Sequence, residues 1–379
     1  MYRKMNKKNV IIIMIDGGRL DRAKRSEIFN QIKTKSMFFS QCITYGPHTI
    51  AAMHAVFSGC YGTRTGTNSY WSTFDFKKNR FKTITEYLKE QNYHTFGDLI
   101  NELVVPKQGF DEFIIHDEIN DDLVKRHKKL LHNMKILENK NENFFLYLHY
   151  SKIHTGIMNE VLKVYDNFSE GFFNNKNKNE NRYDKLFHDA EIYTEEIINE
   201  IEKLGLDKNA IILLMSDHGV SIGEKIGERA YGAFCYDYTL RPFVYIIQKE
   251  LQPKEITEQV RTIDLMPTIL DFLEIKLDKK FEKLDGESLI NLMNNSKSFE
   301  NIAYSETGNP LKSKEPPEQP NTKSVRTSKW KLIFNEYNNT RELYDLENDP
   351  SEEVNLINEK LEIEKTLWEE LFKISNNLP

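Results

Sequence analysis

Residues Asn9–Gly18 read NVIIIMIDGG, in which six consecutive apolar residues, Val10–Ile15, end at Asp16. A short, unbroken apolar run is typical of a strand that is buried on both faces of a parallel sheet. Basic residues precede the run, as in a signal peptide, but six residues are too few for a signal peptide's apolar segment and no small-residue cleavage site follows. The segment therefore predicts a buried strand that runs into a loop beginning with an aspartate.

Further apolar runs recur along the chain, at Phe144–Tyr150, Ala210–Met215, Pro242–Ile247 and Asn301–Ser305. Helical patterns lie between them, most clearly at 183–206, where apolar residues recur on one face and Gly205 stands at the expected stop. Alternation of strands and helices predicts an α/β fold with a mostly parallel central sheet and helices on both faces.

The composition of the sequence and its predicted secondary structure change towards the C-terminal end. Residues 175–182 (NKNKNENR) predict a polar loop, and 312–321 (KSKEPPEQPN) a proline-rich connection. After this connection, 324–349 predict two or three antiparallel strands with an Asn-Asn turn, and a charged amphipathic helix closes the chain. We therefore expect an α/β catalytic domain at 1–295 and a small α+β region with an antiparallel sheet at 296–379.

Composition limits the classes of function. The formal net charge of −6 over 379 residues argues against a nucleic-acid binder, which needs a basic face. Three cysteines form no disulfide framework and indicate a reducing compartment. No stretch approaches the length of a membrane span. We predict a soluble, cytoplasmic protein without a membrane span; the sequence does not indicate an oligomeric state.

Charged and imidazole side chains follow several of the predicted strands. In open parallel sheets, ligands bind beyond the carboxyl ends of the strands, so groups at these positions are expected to meet at one edge. Any one of them alone is weak evidence, because aspartate is a common turn residue. The residues concerned are Asp16, Lys152, His154, Asp217, His218 and Glu306.

Asp16, Asp217 and His218 form a plausible ligand set for one divalent cation, with carboxylate oxygens and one imidazole nitrogen. Thr49, in the segment PHTIAAM, could add a hydroxyl, which metal coordination is able to activate as a nucleophile. Because Thr49 precedes a small-residue apolar run, it could instead be an ordinary helix N-cap. The local sequence allows both interpretations.

Six segments occur in an order that resembles the sulfatase branch of the alkaline phosphatase superfamily, from about residue 9 to about 356. They are NVIIIMIDGGRLD, PHTIAAMHAVFSGCYGTRTG, LYLHYSKIHTG, LDKNAIILLMSDHGVSIGE, TIDLMPTILDFLEI with LDGESL, and VRTSKWKLIFNEYNNTRELYDLENDPSEEVNL. The resemblance implies an alkaline phosphatase-like fold. It implies one divalent cation, calcium or magnesium with manganese or zinc as alternatives, held by Asp16, Asp217, His218 and Thr49.

The chain departs from the sulfatase pattern at the nucleophile. Sulfatases carry cysteine or serine in a C/S-x-P/A-x-R motif that is oxidised to formylglycine, whereas this chain has Thr49 and Met53 in that frame. Threonine does not give this aldehyde. The resemblance to threonine-dependent members of the superfamily therefore implies that Thr49 attacks phosphorus directly, with His154 as general acid. Lys152, Lys225 and Arg229 are the candidate substrate-binding cations.

These residues predict a hydrolase or transferase that cleaves a phosphate monoester, phosphate diester or phosphonate ester of a small molecule or glycan. Two alternatives stay open. One is a sulfatase that uses Thr49 directly on a sulfuric ester. The other is a non-catalytic, sulfatase-like binding protein, which the missing arginine at Met53 and the missing second acidic ligand at Gly17 would suit.

Overall fold

The computed structural model of the protein describes residues 7–69, 72–160, 170–228, 230–294, 300–307, 322–336 and 338–376. Its strands form an eight-stranded sheet, a two-stranded sheet and a four-stranded sheet. The strands are β1 (Asn9–Ile15), β2 (Met37–Phe39), β3 (Cys42–Ile43), β4 (His94–Leu99), β5 (Glu112–Ile115), β6 (Phe144–Tyr150), β7 (Ala210–Ser216), β8 (Val244–Ile247), β9 (Lys254–Ile256), β10 (Val260–Arg261), β11 (Ala303–Thr307), β12 (Thr322–Arg326), β13 (Trp330–Asn335) and β14 (Thr340–Asp345).

The eight-stranded sheet has the order β5-β4-β6-β1-β7-β8-β2-β9. β4, β6, β1 and β7 pair in parallel, and β8 pairs antiparallel to β7. Successive side chains of β1 enter opposite cores: Ile11 and Ile13 pack in one cluster, and Ile12 and Met14 in the other. This two-sided burial explains the unbroken apolar run. The predicted fold class, a mostly parallel sheet between helices, is confirmed.

The helices are α1 (Leu20–Arg25), α2 (Glu27–Lys33), α3 (Thr49–Ser58), α4 (Gly62–Thr65), α5 (Ile84–Glu90), α6 (Leu123–Asn139), α7 (Lys152–Glu160), α8 (Glu170–Phe173), α9 (Lys176–Leu204), α10 (Asp237–Leu240), α11 (Leu265–Phe272), α12 (Ile290–Met293) and α13 (Leu361–Asn376). The predicted polar loop at 175–182 is wrong, because Lys176 already begins α9. Asn179 is buried there and its amide donates to the Phe172 and Ile222 carbonyls, so this polar segment has a packed face. Gly205 ends α9 in the left-handed conformation (φ 69°), as predicted.

The four-stranded sheet is antiparallel, in the order β11-β12-β13-β14. The strands β12, β13 and β14, followed by α13, confirm the predicted antiparallel strands and closing helix of the C-terminal region. The prediction that 301–305 adds a strand to the parallel sheet is wrong, since β11 pairs with β12 instead. The predicted connection at 312–321 and the predicted boundary at residue 295 lie outside the described residues. Division into two domains therefore stays a prediction.

The antiparallel sheet packs against the segment that surrounds α3. Tyr45, Ala51 and Ala55 share an apolar cluster with Tyr304 and Leu332. The C-terminal region thus supports the helix that begins at Thr49. Among the helices in the described ranges, we find none with the length and apolar character required to traverse a bilayer.

Candidate active site

The carboxyl edge of the central sheet brings together residues that follow two neighbouring strands. Asp16 follows β1, and Asp217 and His218 follow β7, which pairs with β1 through Ile15 and Ser216. One ligand atom from each of Asp16, Asp217 and His218 lies within 4.8 Å of the others, and all three side chains are buried. The structure therefore brings these three strand-end residues together at one edge of the sheet, and their role as metal ligands stays a prediction.

Thr49 is the first residue of α3 and does not cap it. The N-cap is His48, whose Nδ1 accepts a hydrogen bond from the Ala51 amide at 3.4 Å. The Thr49 hydroxyl is consequently not used by the helix. Its Oγ1 lies 3.4 Å from both carboxylate oxygens of Asp16 and 3.3 Å from Nε2 of His218. The N-cap interpretation of Thr49 is wrong, and its hydroxyl lies among the candidate ligands.

The hydrogen bonds of Asp217 and His218 leave two ligand atoms facing each other. Asp217 Oδ1 accepts from the amides of Gly17 (3.0 Å) and His218 (2.8 Å). Its Oδ2 is buried, has no hydrogen-bond partner in the described chain, and lies 3.4 Å from His218 Nε2. His218 Nδ1 donates to the Gly219 carbonyl at 2.7 Å, which leaves the lone pair on Nε2. A buried carboxylate oxygen without a donor and an imidazole lone pair beside it fit a divalent cation.

The two carboxyl groups have opposite electrostatic surroundings. Burial alone would raise the pKa of Asp16, but the charges of His154, His149 and His218 and the His149 hydrogen bond lower it to about 2. Burial raises the pKa of Asp217, because nearby charges offset its desolvation only in part. The histidines thus favour the ionised form of Asp16, and a bound cation would offset the burial of the Asp217 carboxylate.

His149 is a member of the cluster that the sequence analysis missed. It lies on β6 and is fully buried, and its Nε2 is 3.1 Å from Asp16 Oδ2. A histidine inside the apolar run FFLYLHY was the available signal. Its partner could not be read from the run, because pairing of β6 with β1 is what brings Asp16 to it.

His154 lies at the outer side of the cluster, on α7. Its Nδ1 is 3.7 Å from Asp16 Oδ1 and 2.9 Å from the Tyr231 hydroxyl, and its side chain is 17% exposed. This partial exposure distinguishes it from His149 and His218, whose side chains are 0% exposed. A group at this position can meet a leaving group that enters from solvent, and its role as general acid stays a prediction.

Two of the candidate substrate-binding cations, Lys152 and Lys225, donate hydrogen bonds to backbone carbonyls. Lys152 Nζ donates to the carbonyl oxygens of Glu118 (2.6 Å) and Ile119 (3.3 Å). Lys225 Nζ donates to the Glu352 carbonyl and lies over the Tyr236 ring at 4.9 Å from its centroid. Arg229 is outside the described residues. Their substrate-binding roles stay predictions.

Glu306 does not join the edge of the central sheet, contrary to the expectation from the sequence. It lies on β11 in the antiparallel sheet, and its carboxylate accepts hydrogen bonds from the hydroxyls of Tyr45 and Tyr304. The reason is that its strand pairs with β12 rather than with the parallel strands. Its backbone amide donates to the Tyr45 carbonyl at 2.9 Å, so Glu306 fixes the segment that leads to Thr49.

Comparison with known families gives two matches. The sequence model described as Sulfatase matches residues 8–275, and that described as N-sulphoglucosamine sulphohydrolase, C-terminal, matches residues 232–377. The first covers well over half of the chain and contains Asp16, Thr49, Asp217 and His218.

One curated relative and two solved structures illustrate the likeness. The chain is 26% identical over 201 residues to "Uncharacterized sulfatase YdeN" of Escherichia coli (strain K12), an alignment that spans 52% of this chain and 33% of that protein. The fold matches BT4656, solved in complex with its substrate D-glucosamine-2-N,6-O-disulfate, with a TM-score of 0.73 at 17% identity over 98% of both chains. It also matches the phosphonate monoester hydrolase SpPMH from Silicibacter pomeroyi, with a TM-score of 0.73 at 15% identity over 97% of this chain and 95% of that one. At these identities the two structures establish the fold.

Proposed function

This chain belongs to the sulfatase family, and we propose that it is a metal-dependent hydrolase that cleaves a phosphate or phosphonate ester through Thr49. The observation that carries the proposal is the position of the Thr49 hydroxyl. It lies 3.3–3.4 Å from Asp16 and His218, beside the unpaired Asp217 oxygen, and it caps no helix. A hydroxyl placed among carboxylate and imidazole ligands is the arrangement that activates an alcohol as a nucleophile.

Asp16, Asp217, His218 and Thr49 are the residues that would hold the cation. When bound, a divalent ion supplies Lewis acidity, which lowers the pKa of a hydroxyl and offsets the charge of an anionic ester. The carboxylate and imidazole donor set suits calcium, magnesium, manganese or zinc, and calcium or magnesium is our preferred assignment.

The chain's own residues account for the proposed bond changes. The Thr49 hydroxyl loses its proton to solvent, its oxygen attacks phosphorus to form the Thr49–phosphorus bond, and the bond from phosphorus to the leaving oxygen breaks. His154 donates a proton to that oxygen. Water, or another acceptor alcohol in a transferase, then attacks phosphorus and gives its proton to His154. The Thr49–phosphorus bond breaks, and the released Thr49 oxygen takes up a proton from solvent. Because Thr49 begins α3, the substrate anion would lie at the positive end of a helix.

A sulfuric ester is the second candidate substrate. The match of residues 232–377 to the C-terminal part of N-sulphoglucosamine sulphohydrolase favours it, as does the structural neighbour that holds a sulfated glucosamine. On this hypothesis Thr49 attacks sulfur directly, since threonine is not converted to formylglycine. Either ester could belong to a small molecule or to a glycan.

The test is to assay a panel of esters with the wild-type protein and with two substitutions of Thr49. Purified protein is assayed with calcium, magnesium, manganese or zinc on nitrophenyl phosphate, bis-nitrophenyl phosphate, nitrophenyl phenylphosphonate and nitrophenyl sulfate. Thr49→Ala removes the hydroxyl, and Thr49→Ser is the matched control that keeps it. We expect metal-dependent turnover of a phosphorus ester that Thr49→Ser retains and Thr49→Ala loses by about 10³-fold or more.

Three other outcomes would contradict the proposal. Turnover of the sulfate ester alone refutes the phosphorus assignment and establishes the second candidate. Phosphorus-ester turnover that persists in Thr49→Ala refutes Thr49 as the nucleophile. Absence of turnover on every ester, in protein that retains no divalent metal, favours the non-catalytic binding protein.

A further inference from the structure

A second buried cluster of potential ligands lies at the same edge of the sheet, apart from Thr49. Asp98 is near the end of β4, His116 follows β5, and His127 lies on α6. Their ligand atoms lie within 4.8 Å of one another, and the residues are only 1%, 3% and 0% exposed. The function proposed above uses none of them.

Each imidazole of this cluster directs one nitrogen to Asp98 and the other to a hydroxyl. His116 Nδ1 is 2.6 Å from Asp98 Oδ1, and its Nε2 is 3.1 Å from the Ser151 hydroxyl. His127 Nδ1 is 2.6 Å from the Tyr193 hydroxyl, and its Nε2 is 3.7 Å from the same Asp98 oxygen. Histidine ligands of metals characteristically bond through the second nitrogen in this way, because that contact fixes the tautomer and the ring.

His127 Nε2 is the atom that a metal-free network does not explain. It is buried and has no hydrogen-bond partner in the described part of the chain, although it points at Asp98. Buried polar atoms are almost always bonded, and an exception calls for a water or an ion. Hydrogen bonds alone account for His116 but leave His127 Nε2 with only a long contact to Asp98, at 3.7 Å.

The distances and charges suit a small transition-metal ion. Ligands 2.0–2.1 Å from a tetrahedral zinc ion are about 3.3 Å from one another. His116 Nδ1 is hydrogen-bonded to Asp98 Oδ1 at 2.6 Å, and His127 Nε2 is 3.7 Å from the same oxygen. Binding of an ion would therefore require the first pair to separate and the second pair to approach. Arg126 Nε takes the other carboxylate oxygen, Oδ2, at 2.5 Å, and a second Arg126 nitrogen pairs with Asp121 at 3.3 Å. Oδ1 is therefore the oxygen that faces both histidines.

We propose that Asp98, His116 and His127 bind a zinc ion, at a site separate from the catalytic centre, with a water molecule as the fourth ligand. Two imidazole nitrogens and one carboxylate oxygen are ligands that zinc accepts. The ion would tie α6 to strands β4 and β5, and through Ser151 and Tyr193 to the segment after β6 and to α9. All three ligands are buried, so the ion would lie inside the protein and away from bulk solvent.

The test measures bound zinc per chain in purified full-length variants. Protein exposed to zinc is desalted against a weak chelator and analysed by inductively coupled plasma mass spectrometry. His127→Gln removes a proposed ligand, and His132→Gln is its matched control on the same helix, where His132 is 56% exposed and pairs with Glu200. Asp217→Asn removes a ligand of the separate catalytic centre.

We expect His127→Gln to bind one zinc ion fewer than His132→Gln, and Asp217→Asn to keep that ion. Equal zinc in the two histidine variants, both folded by circular dichroism, overturns the proposal. If His127→Gln does not fold, cobalt substitution of Asp217→Asn decides. Visible absorption typical of tetrahedral nitrogen and oxygen ligands supports the site, and its absence overturns it.

Discussion

Burial of Glu306 should make the stability of the protein depend on pH, and removing its charge should remove this dependence. The carboxyl is fully buried between the hydroxyls of Tyr45 and Tyr304. Burial raises its pKa to about 7, because the two tyrosine hydrogen bonds offset the desolvation only in part. Gln resembles the protonated carboxyl in shape and in its one donor and one acceptor side. Glu306→Gln is therefore the informative substitution.

The sign follows from proton binding in the two states. In the unfolded chain Glu306 releases its proton near pH 4.5, whereas in the folded protein it keeps the proton to about pH 7. Between these values the folded state binds more protons, so the free energy of unfolding falls as pH rises. A shift of about 2.5 pKa units corresponds to about 3 kcal/mol, which is fully lost above pH 7.

The assay is urea unfolding of wild type and Glu306→Gln from pH 4 to pH 8. We expect similar stability at pH 4 and a gain of up to about 3 kcal/mol for Glu306→Gln at pH 8. Glu347→Gln is the control, since Glu347 is 61% exposed and forms a surface pair with Lys329. A stability difference between wild type and Glu306→Gln that is the same at both pH values would show that Glu306 does not cause the pH dependence.

Three further substitutions test the structure elsewhere. His154→Gln should lower kcat by about 10²–10⁴-fold for esters with poor leaving groups, and far less for nitrophenyl esters, because only poor leaving groups need a proton. An equal loss of kcat for both kinds of ester would exclude His154 as the general acid. Lys331→Met should lower the free energy of unfolding, measured by denaturant titration, by about 3–5 kcal/mol. The reason is that the buried ammonium lies 2.9 Å from Asp237 and 2.8 Å from Glu352. A loss below about 1 kcal/mol would contradict a buried ion pair. Gly62→Ala should cost about 1–3 kcal/mol in thermal unfolding, because the added Cβ would lie 2.0 Å from the Thr67 carbonyl oxygen; an unchanged Tm would show that this turn can relax.

The strands of the central sheet could be predicted because a strand buried on both faces has apolar residues at almost every position, and such a run is visible in the sequence. Asn9–Ile15, Phe144–Tyr150 and Ala210–Ser216 are apolar almost throughout, and each lies in the parallel part of the sheet. A run of this kind does not reveal its neighbour. The run at 301–305 has the same appearance, yet its strand pairs antiparallel with β12 in another sheet.

The polar residues of 175–182 show that a segment with the composition of a loop can form part of a helix. Their composition is typical of a loop, but a helix that already has partners along its length can extend through them. Asn179 is buried because its amide finds the Phe172 and Ile222 carbonyls. Tertiary contacts of this kind override local propensity, and they are not visible in the segment itself.

Parallel strands end on the same side of a sheet, so the sequence alone indicated that Asp16, Asp217 and His218 reach the carboxyl edge after β1 and β7. Packing of the whole chain makes His48 the N-cap of α3 and leaves the Thr49 hydroxyl in contact with Asp16 and His218. The same packing places His149 beside Asp16, and His116 and His127 beside Asp98. These contacts join residues distant in the chain, and they depend on strand order and helix packing, which local patterns do not encode.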